Sequence, residues 1–455
     1  MDTTASPLRA PMMDTTASPL RAPMDSALRD STGGAEEALL LNSEAPERQR
    51  VASFLSCVFN LTNTIVGSGM LGLPAAFSNA GSLLGCAFLV LFASTSAFGL
   101  HLLAAAARIV SAKAGGDAPS SFRSVATAAA PRFAVLIDGA VAVKCFGVAT
   151  SYLIVVGDTM PVVMAKLGGF AASRSPWIVG AALLVAPLCY MPRLDGLKFA
   201  SALSLGFVMF LTVMIVEYYL EGGGGGDVGT TSLAVFDLDT AKTMTIFIFG
   251  YTCHQNIFAV VNEIKRPTPA RLDAVVATSI GTACGIYLLV AVCGYMTFGD
   301  KVQGDILDNY PVEPAITVAR VFVAALVALS FPLQCHPSRA CVMSLLQGAR
   351  PPPPDDASDA ALALRKRAED RRTRAEHVAV TTVFLVGATL IALSVESLST
   401  ILSVVGATGS TAVSYILPGG IYYRLAEPSP KRTLALGQFL LGCCIVPTAL
   451  TLIFV

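Results

Sequence analysis

NLTNTIVGSGMLGLPAAFSNAG, residues 60–81, is apolar enough to enter a bilayer but cannot form one continuous helix. Gly67, Gly69, Gly72 and Pro74 fall within eight residues of one another. A glycine costs a helix interior about 1 kcal/mol relative to alanine, and a proline about 3 kcal/mol. Asn60, Thr62, Asn63, Thr64 and Ser68 cluster at the same depth. Backbone freed from a helix inside a membrane must be buried in protein or line a cavity. The segment therefore predicts an unwound span whose exposed N–H and C=O groups can hold a ligand, rather than a small-residue packing seam.

A second polar patch interrupts TIFIFGYTCHQNIFAVVNEIKRP, residues 245–267, at Gly250, Tyr251, Thr252, His254, Gln255 and Asn256. Counted along the chain, these two segments are apolar spans one and six. They would be equivalent members of two five-helix repeats. Interrupted helices at matching places in two halves point to a transporter site near the bilayer midplane. The positive end of a half-helix suits a carboxylate, and unwound carbonyls suit an ammonium group or Na⁺. An amino acid carries both kinds of group.

Composition agrees with many spans. Of 455 residues, 54% are hydrophobic and only 14% charged, against about 25% charged in soluble domains. Mean hydropathy is +0.65. Apolar runs lie near 52–78, 82–108, 133–160, 176–192, 197–220, 241–262, 272–298, 314–346, 377–395, 397–422 and 432–454. The expected fold is all-α and polytopic, with about eleven transmembrane helices, forming a transmembrane domain over residues 51–455. The net charge of zero favours no nucleic-acid partner. The eleven cysteines are scattered without a CxxC pair and read as packing residues within helices.

Residues 1–50 differ from the rest. MDTTASPLRAPM at 1–12 recurs identically at 13–24, and an acidic polar stretch follows. Without an apolar core this is no secretory signal, and a disordered cytosolic tail is expected. Gly222 to Gly226 form a flexible linker. The connection 347–376 carries four prolines at 351–354, then Arg365, Lys366, Arg367, Arg371, Arg372 and Arg374. It is read as a solvated or lipid-facing loop. Lys and Arg concentrate in alternate loops, from Arg48 through Arg108, Arg193 and Lys265 to Arg432. The opposite loops are acidic, from Glu221 to Glu313. The positive-inside rule then puts the N-terminus in the cytosol and, with eleven spans, the C-terminus outside or in a lumen.

Four segments in register carry a family resemblance: NLTNTIVGSGMLGLP, KCFGVATSYLIVVGDTMP (144–161), FGYTCHQNIFAVVNEIKRPT (249–268) and FPLQCHPSR (331–339). Together they resemble the amino acid/auxin permease family, in particular its sodium-coupled neutral amino-acid transporters and its vacuolar amino-acid transporters. The resemblance runs from about residue 50 to the end and implies a LeuT-type fold of eleven helices in two inverted repeats plus one. It implies substrate contacts from Gly67, Ser68 and Gly69, with Phe249, Gly250 and Tyr251 as the facing wall. It also puts Asn63 where sodium-coupled members place a Na⁺ ligand, and Ser330, in ALSFP, where they resemble ALTVP. QCHPSR at 334–339 resembles the vacuolar members more than the sodium-coupled ones, which shifts weight toward H⁺ coupling or vacuolar export. Asn63 and Ser330 alone would not complete a Na⁺ site.

Single polar residues leave alternatives open. Lys144, inside span three, is either a pairing or gating residue or a lysine snorkelling outward with Asp138 nearby. Asp158 reads as an interfacial or helix-end carboxylate, with a proton carrier as the alternative. His254 and His336 are candidates for coupling or gating because histidine titrates near neutrality, although a lone helical histidine more often serves packing. No nucleotide-binding loop and no acid, base or metal constellation suggests an enzyme. The expected function is secondary transport of amino acids, neutral ones in the absence of an acidic site residue. It would be coupled to Na⁺ or H⁺, need no cofactor, and operate in a vacuolar, lysosomal or plasma membrane. The rival expectation is a sensor that binds substrate without net transport.

Overall fold

The computed structural model describes residues 52–113, 120–131, 134–168, 173–191, 198–222, 229–348 and 359–454. The expected tail at 1–50, the glycines 223–226 and the prolines 351–354 lie outside the described residues. The chain divides into two units at residue 50, and the second, Arg50–Val455, contains every described element.

Span one begins with α1 (Phe54–Ile65), whose Ser53 side chain accepts from the Ser56 N–H at 3.2 Å. Val66 and Gly67 leave helical geometry, a 3₁₀ turn follows at Ser68–Gly72, and α2 (Leu73–Ala80) completes the span. The two halves are bent by 46°. Pro74 lies in the first turn of α2, where its missing N–H costs nothing. Gly81 ends α2 at φ +85°, a conformation only glycine adopts without strain.

The chain continues through α3 (Ser82–Lys113), the short α4 (Phe122–Ala129), α5 (Ala134–Lys166), α6 (Arg174–Tyr190) and α7 (Lys198–Leu220). Span six comprises α8 (Leu238–Gly250), a non-helical step at 251–253, a 3₁₀ turn at His254–Asn256 and α9 (Ile257–Glu263). Then come α10 (Pro269–Phe298), α11 (Pro314–Gly348), α12 (Asp359–Ser394), α13 (Leu398–Val405), α14 (Leu417–Leu425) and α15 (Pro430–Phe454).

Among the described residues, nine helices are long and apolar enough to cross a membrane, and the bent pair of span one makes ten. The apolar α6, at 17 residues, occupies the place of the remaining span. The central windows of span three and span six are each 72% buried, against 17% for α15. Spans three and six are therefore the middle of the bundle, and α15 is its rim. Leu183, Leu184, Val383 and Leu390 face outward, as lipid contact requires.

Two features depart from the sequence reading. The basic run 365–374 is not a loop, because α12 starts at Asp359 and passes through it. Its Ala, Leu, Arg, Lys and Glu content is helix-forming, and Arg372 pairs with Glu376 one turn on at 2.8 Å. Span ten is widened into π-helical turns at Gly406–Ser410 and Ala412–Ile416, just before Pro418. The proline ring excludes the ordinary bond to the carbonyl four residues back. That carbonyl, on Ser414, instead accepts from the Gln438 amide of α15 at 2.9 Å.

Candidate functional site

The breaks in spans one and six face each other. A Cβ on Gly69 would stand 3.2 Å from the Gly250 Cα and 3.2 Å from the Phe249 ring. A side chain at 69 would require its neighbours to give way by a few tenths of an ångström. Tyr287 of α10 joins the two helix ends: its hydroxyl is shared between the carbonyls of Ile65, at 2.6 Å, and Gly250, at 2.9 Å. Those are C-terminal carbonyls of α1 and α8, groups that a helix cannot satisfy by itself. On one side of the breaks the Asn256 amide donates to Thr64 Oγ1 at 2.6 Å. On the other, the Thr240 hydroxyl donates to the Asn79 carbonyl at 2.7 Å, and the Asn79 amide to Thr243 at 3.0 Å. Spans one and six are thus tied into one antiparallel unit with its breaks level.

The six expected substrate residues lie at this junction. Ser68 is buried and hydrogen-bonded to Ser151 of α5 at 3.0 Å. A Cβ on Gly67 would approach the Tyr152 hydroxyl of α5 to 3.6 Å. The Tyr251 ring lies 5.3 Å from that of Tyr287, and its buried hydroxyl has no partner. Thr62 Oγ1, His254 Nε2, Gln255 Oε1, Gln334 Oε1 and Ser410 Oγ are also buried without partners. Buried polar atoms are ordinarily satisfied. Several of these atoms belong to the broken spans themselves.

Asn63 and Ser330, the expected Na⁺ ligands, are both half-buried. Among the described residues, no group of three or more His, Cys, Asp or Glu is suited to a metal. Lys144 is 3% exposed within α5 and packs against Gly409 of span ten, where a Cβ would meet its backbone at 2.7 Å. Asp138 is not its partner: that carboxylate pairs with Arg123 at 2.8 Å and accepts from Ser344 at 2.9 Å.

The two histidines separate. His254 is completely buried, hydrogen-bonded to Ser414 at 3.1 Å and packed against Gly99 of α3. It sits between spans two, six and ten. His336 lies against Arg339 at 3.1 Å. That guanidinium donates to the carbonyls of Cys189, at 2.5 Å, and Met191, at 3.2 Å, and to Thr381 at 3.1 Å. Arg339 thereby ties the end of α6 to α11 and α12. Asp158, expected at a helix end, lies inside α5, which continues through Pro161 to Lys166, and pairs with Arg174 at 2.5 Å.

Sequence reasoning missed Tyr287, Tyr152 and Ser151. All three are ordinary helical residues by sequence, and only their contacts with the breaks single them out. Tyr152 and Ser151 do fall inside the quoted 144–161 segment, which was the available signal.

Comparisons with known proteins agree with this architecture. A solved structure, the inward-facing conformation of Mhp1, superposes with a TM-score of 0.59 over 90% of this chain and 93% of that one, at 12% identity. That likeness concerns the fold, the LeuT type. The chain is 35% identical over 398 residues to vacuolar amino acid transporter 5 of Schizosaccharomyces pombe, covering 85% of this chain and 88% of the relative. It is 31% identical over 426 residues to vacuolar amino acid transporter 6 of Saccharomyces cerevisiae, covering 85% and 93%. It is 28% identical over 426 residues to sodium-coupled neutral amino acid transporter 7 of Rattus norvegicus, covering 86% of each. The family model described as transmembrane amino acid transporter protein matches residues 50–455. The chain belongs to that family, the amino acid/auxin permeases, whose members are transporters and not enzymes.

Proposed function

We propose that this protein is a secondary active transporter that moves neutral amino acids by alternating access, driven by a Na⁺ or H⁺ gradient. The observation that carries the reading is the pair of level breaks in spans one and six, which meet at Gly69 and Gly250 and are joined by Tyr287. Backbone at Gly67, Ser68 and Gly69 would take the substrate carboxylate. Phe249, Gly250 and Tyr251 would form the opposing wall. None of these residues is charged, so a zwitterion with an uncharged side chain is the natural guest. Asn63 and Ser330 are the candidate Na⁺ ligands in the sodium-driven form of this reading, and Lys144, His254 and His336 are the candidate gating residues. Spans one and six, bound to each other, would rock against the scaffold formed around α5 and α11.

The basic loops would face the cytosol, placing the C-terminus in a lumen or outside the cell. The vacuolar membrane is the favoured site, because two of the relatives described above are named vacuolar transporters. The test is uptake of radiolabelled amino acids into proteoliposomes with Na⁺ and pH gradients imposed separately. Accumulation under one gradient identifies the driving ion, and its loss in Gly69→Ala would place the site. Binding without accumulation or exchange would overturn the reading and leave a sensor.

A further inference from the structure

The loops opposite the basic ones form an acidic face, and a cavity of about 350 Å³ opens there. It is lined by Asp158, Asp305, Asp308 and Glu396, with Gln303 and Ser397 beside them. Gly304, also in the lining, lies directly over the break of span one: its carbonyl would stand 3.6 Å from a Cβ on Gly72. The cavity is thus a vestibule above the proposed substrate site.

Asp305 is the unusual member. It is only 3% exposed. Its Oδ1 accepts from the Leu307 N–H at 2.9 Å, but Oδ2 is buried with no partner at all. A buried ionised carboxylate with an unpaired oxygen is costly. Of the surrounding charges, Arg320 favours the anion, but less than burial and Asp308 oppose it. Asp308, on the same loop, adds a like charge. Asp158 of α5 is engaged by Arg174 of α6. Arg320 of α11 gives Nη2 to the carbonyls of Leu307, at 2.7 Å, and Tyr310, at 2.9 Å, and makes no hydrogen bond to Asp305. Glu396 approaches from the link between α12 and α13 as a further anion. The 3₁₀ turn Ser68–Gly72 below carries no ionisable group.

We propose that Asp305 is the proton-binding group of this transporter, loaded from the acidic face and set directly above the span-one break. This inference rests on the transporter reading and names its coupling ion. The step is a simple one: the Asp305 carboxylate takes a proton from the solution in the vestibule and becomes a neutral carboxyl. The neutral form fits the closed loop around Gly304–Asp308. The anion needs water, and therefore needs that loop to open. Closure over the substrate site is then linked to proton uptake. Burial first, and Asp308 second, push the Asp305 carboxyl well above the usual carboxylate range.

The test uses the full-length protein in proteoliposomes, with amino-acid accumulation and internal pH followed together. In Asp305→Asn, pH-driven accumulation should fall to the level of empty liposomes, and the remaining exchange should no longer vary with outer pH. Thermal melting in detergent shows whether that variant folds. Asp308→Asn removes the neighbouring negative charge and should lower the outer-pH midpoint of uptake by about half a pH unit. This second variant decides the matter if the first does not fold. Wild-type pH-driven accumulation in Asp305→Asn, or an unmoved midpoint in Asp308→Asn, would overturn the proposal. Wild-type protein driven by Na⁺ alone would also sink it while leaving the transporter reading intact. Wild-type protein that neither accumulates nor exchanges substrate would remove the transporter reading itself.

Discussion

Two tyrosines at the junction do different jobs. Tyr287 donates to the backbone carbonyls that end α1 and α8. Tyr251 is as deeply buried, yet its hydroxyl touches no partner. Removing the donor from a buried acceptor costs about 1–3 kcal/mol. Tyr287→Phe should therefore lower the melting temperature of the purified protein and reduce uptake with it. Tyr251→Phe removes a hydroxyl that holds no backbone carbonyl, so melting should stay within about 0.5 kcal/mol of wild type. If that hydroxyl serves the substrate, uptake should still drop. Equal melting losses in the two variants would contradict this division. His254, attractive as a titrating group by sequence, is held by Ser414 and enclosed by Gly99.

At the scale of elements, span ten depends on small residues. A Cβ on Gly409 would meet the backbone N and Cα of Lys144 at 2.7 Å, and one on Gly406 would overlap the Thr245 carbonyl. These contacts let the widened π turns lie directly on spans three and six. Backbone cannot move aside as a side chain can. Gly409→Ala should thus cost about 1–3 kcal/mol through overpacking. A Cβ on Gly437, in the rim helix α15, would have nothing within 4 Å of it. Gly437→Ala should be neutral or stabilising, by up to about 1 kcal/mol from helix propensity. Melting of the two variants side by side checks both the tight packing of span ten and the peripheral place of α15. Similar effects in both would show that propensity, not packing, governs these positions.

At the scale of the whole molecule, alternating access requires the vestibule to open and close. The loop at Gly304 lies against the start of α13: a Cβ on Gly304 would be 3.4 Å from the Ser399 Cβ carbon. Disulfides span Cβ separations of about 3.5–4.5 Å, so Gly304→Cys with Ser399→Cys should cross-link under oxidation. The pair is best made with the exposed Cys443 and Cys444 replaced by serine. Cross-linking should stop uptake, and a reductant should restore it. Full uptake by cross-linked protein would mean that the loop need not separate from α13 during transport.

Much of this architecture is a property of consecutive residues, and the sequence determined it alone. Hydropathy marks each apolar run, and the glycines and proline at 67–74 forbid a continuous first span because their backbone cost is local. The polar patch at 250–256 places the matching break in span six for the same reason. The ends of the basic loops were legible too, except that 365–374 continues a helix whose start lies well before the apolar run. Tertiary structure decided everything that depends on residues far apart in the chain. Asp138 could have faced Lys144, six residues on, but pairs with Arg123 of another helix. Tyr287 bridges carbonyls that lie 222 and 37 residues away. Asp305 Oδ2 has no hydrogen-bond partner, while Nη2 of the distant Arg320 donates to the carbonyls of Leu307 and Tyr310. Local backbone energies set where a helix must break, whereas the partner of a buried charge is set by which helices the packed bundle brings together.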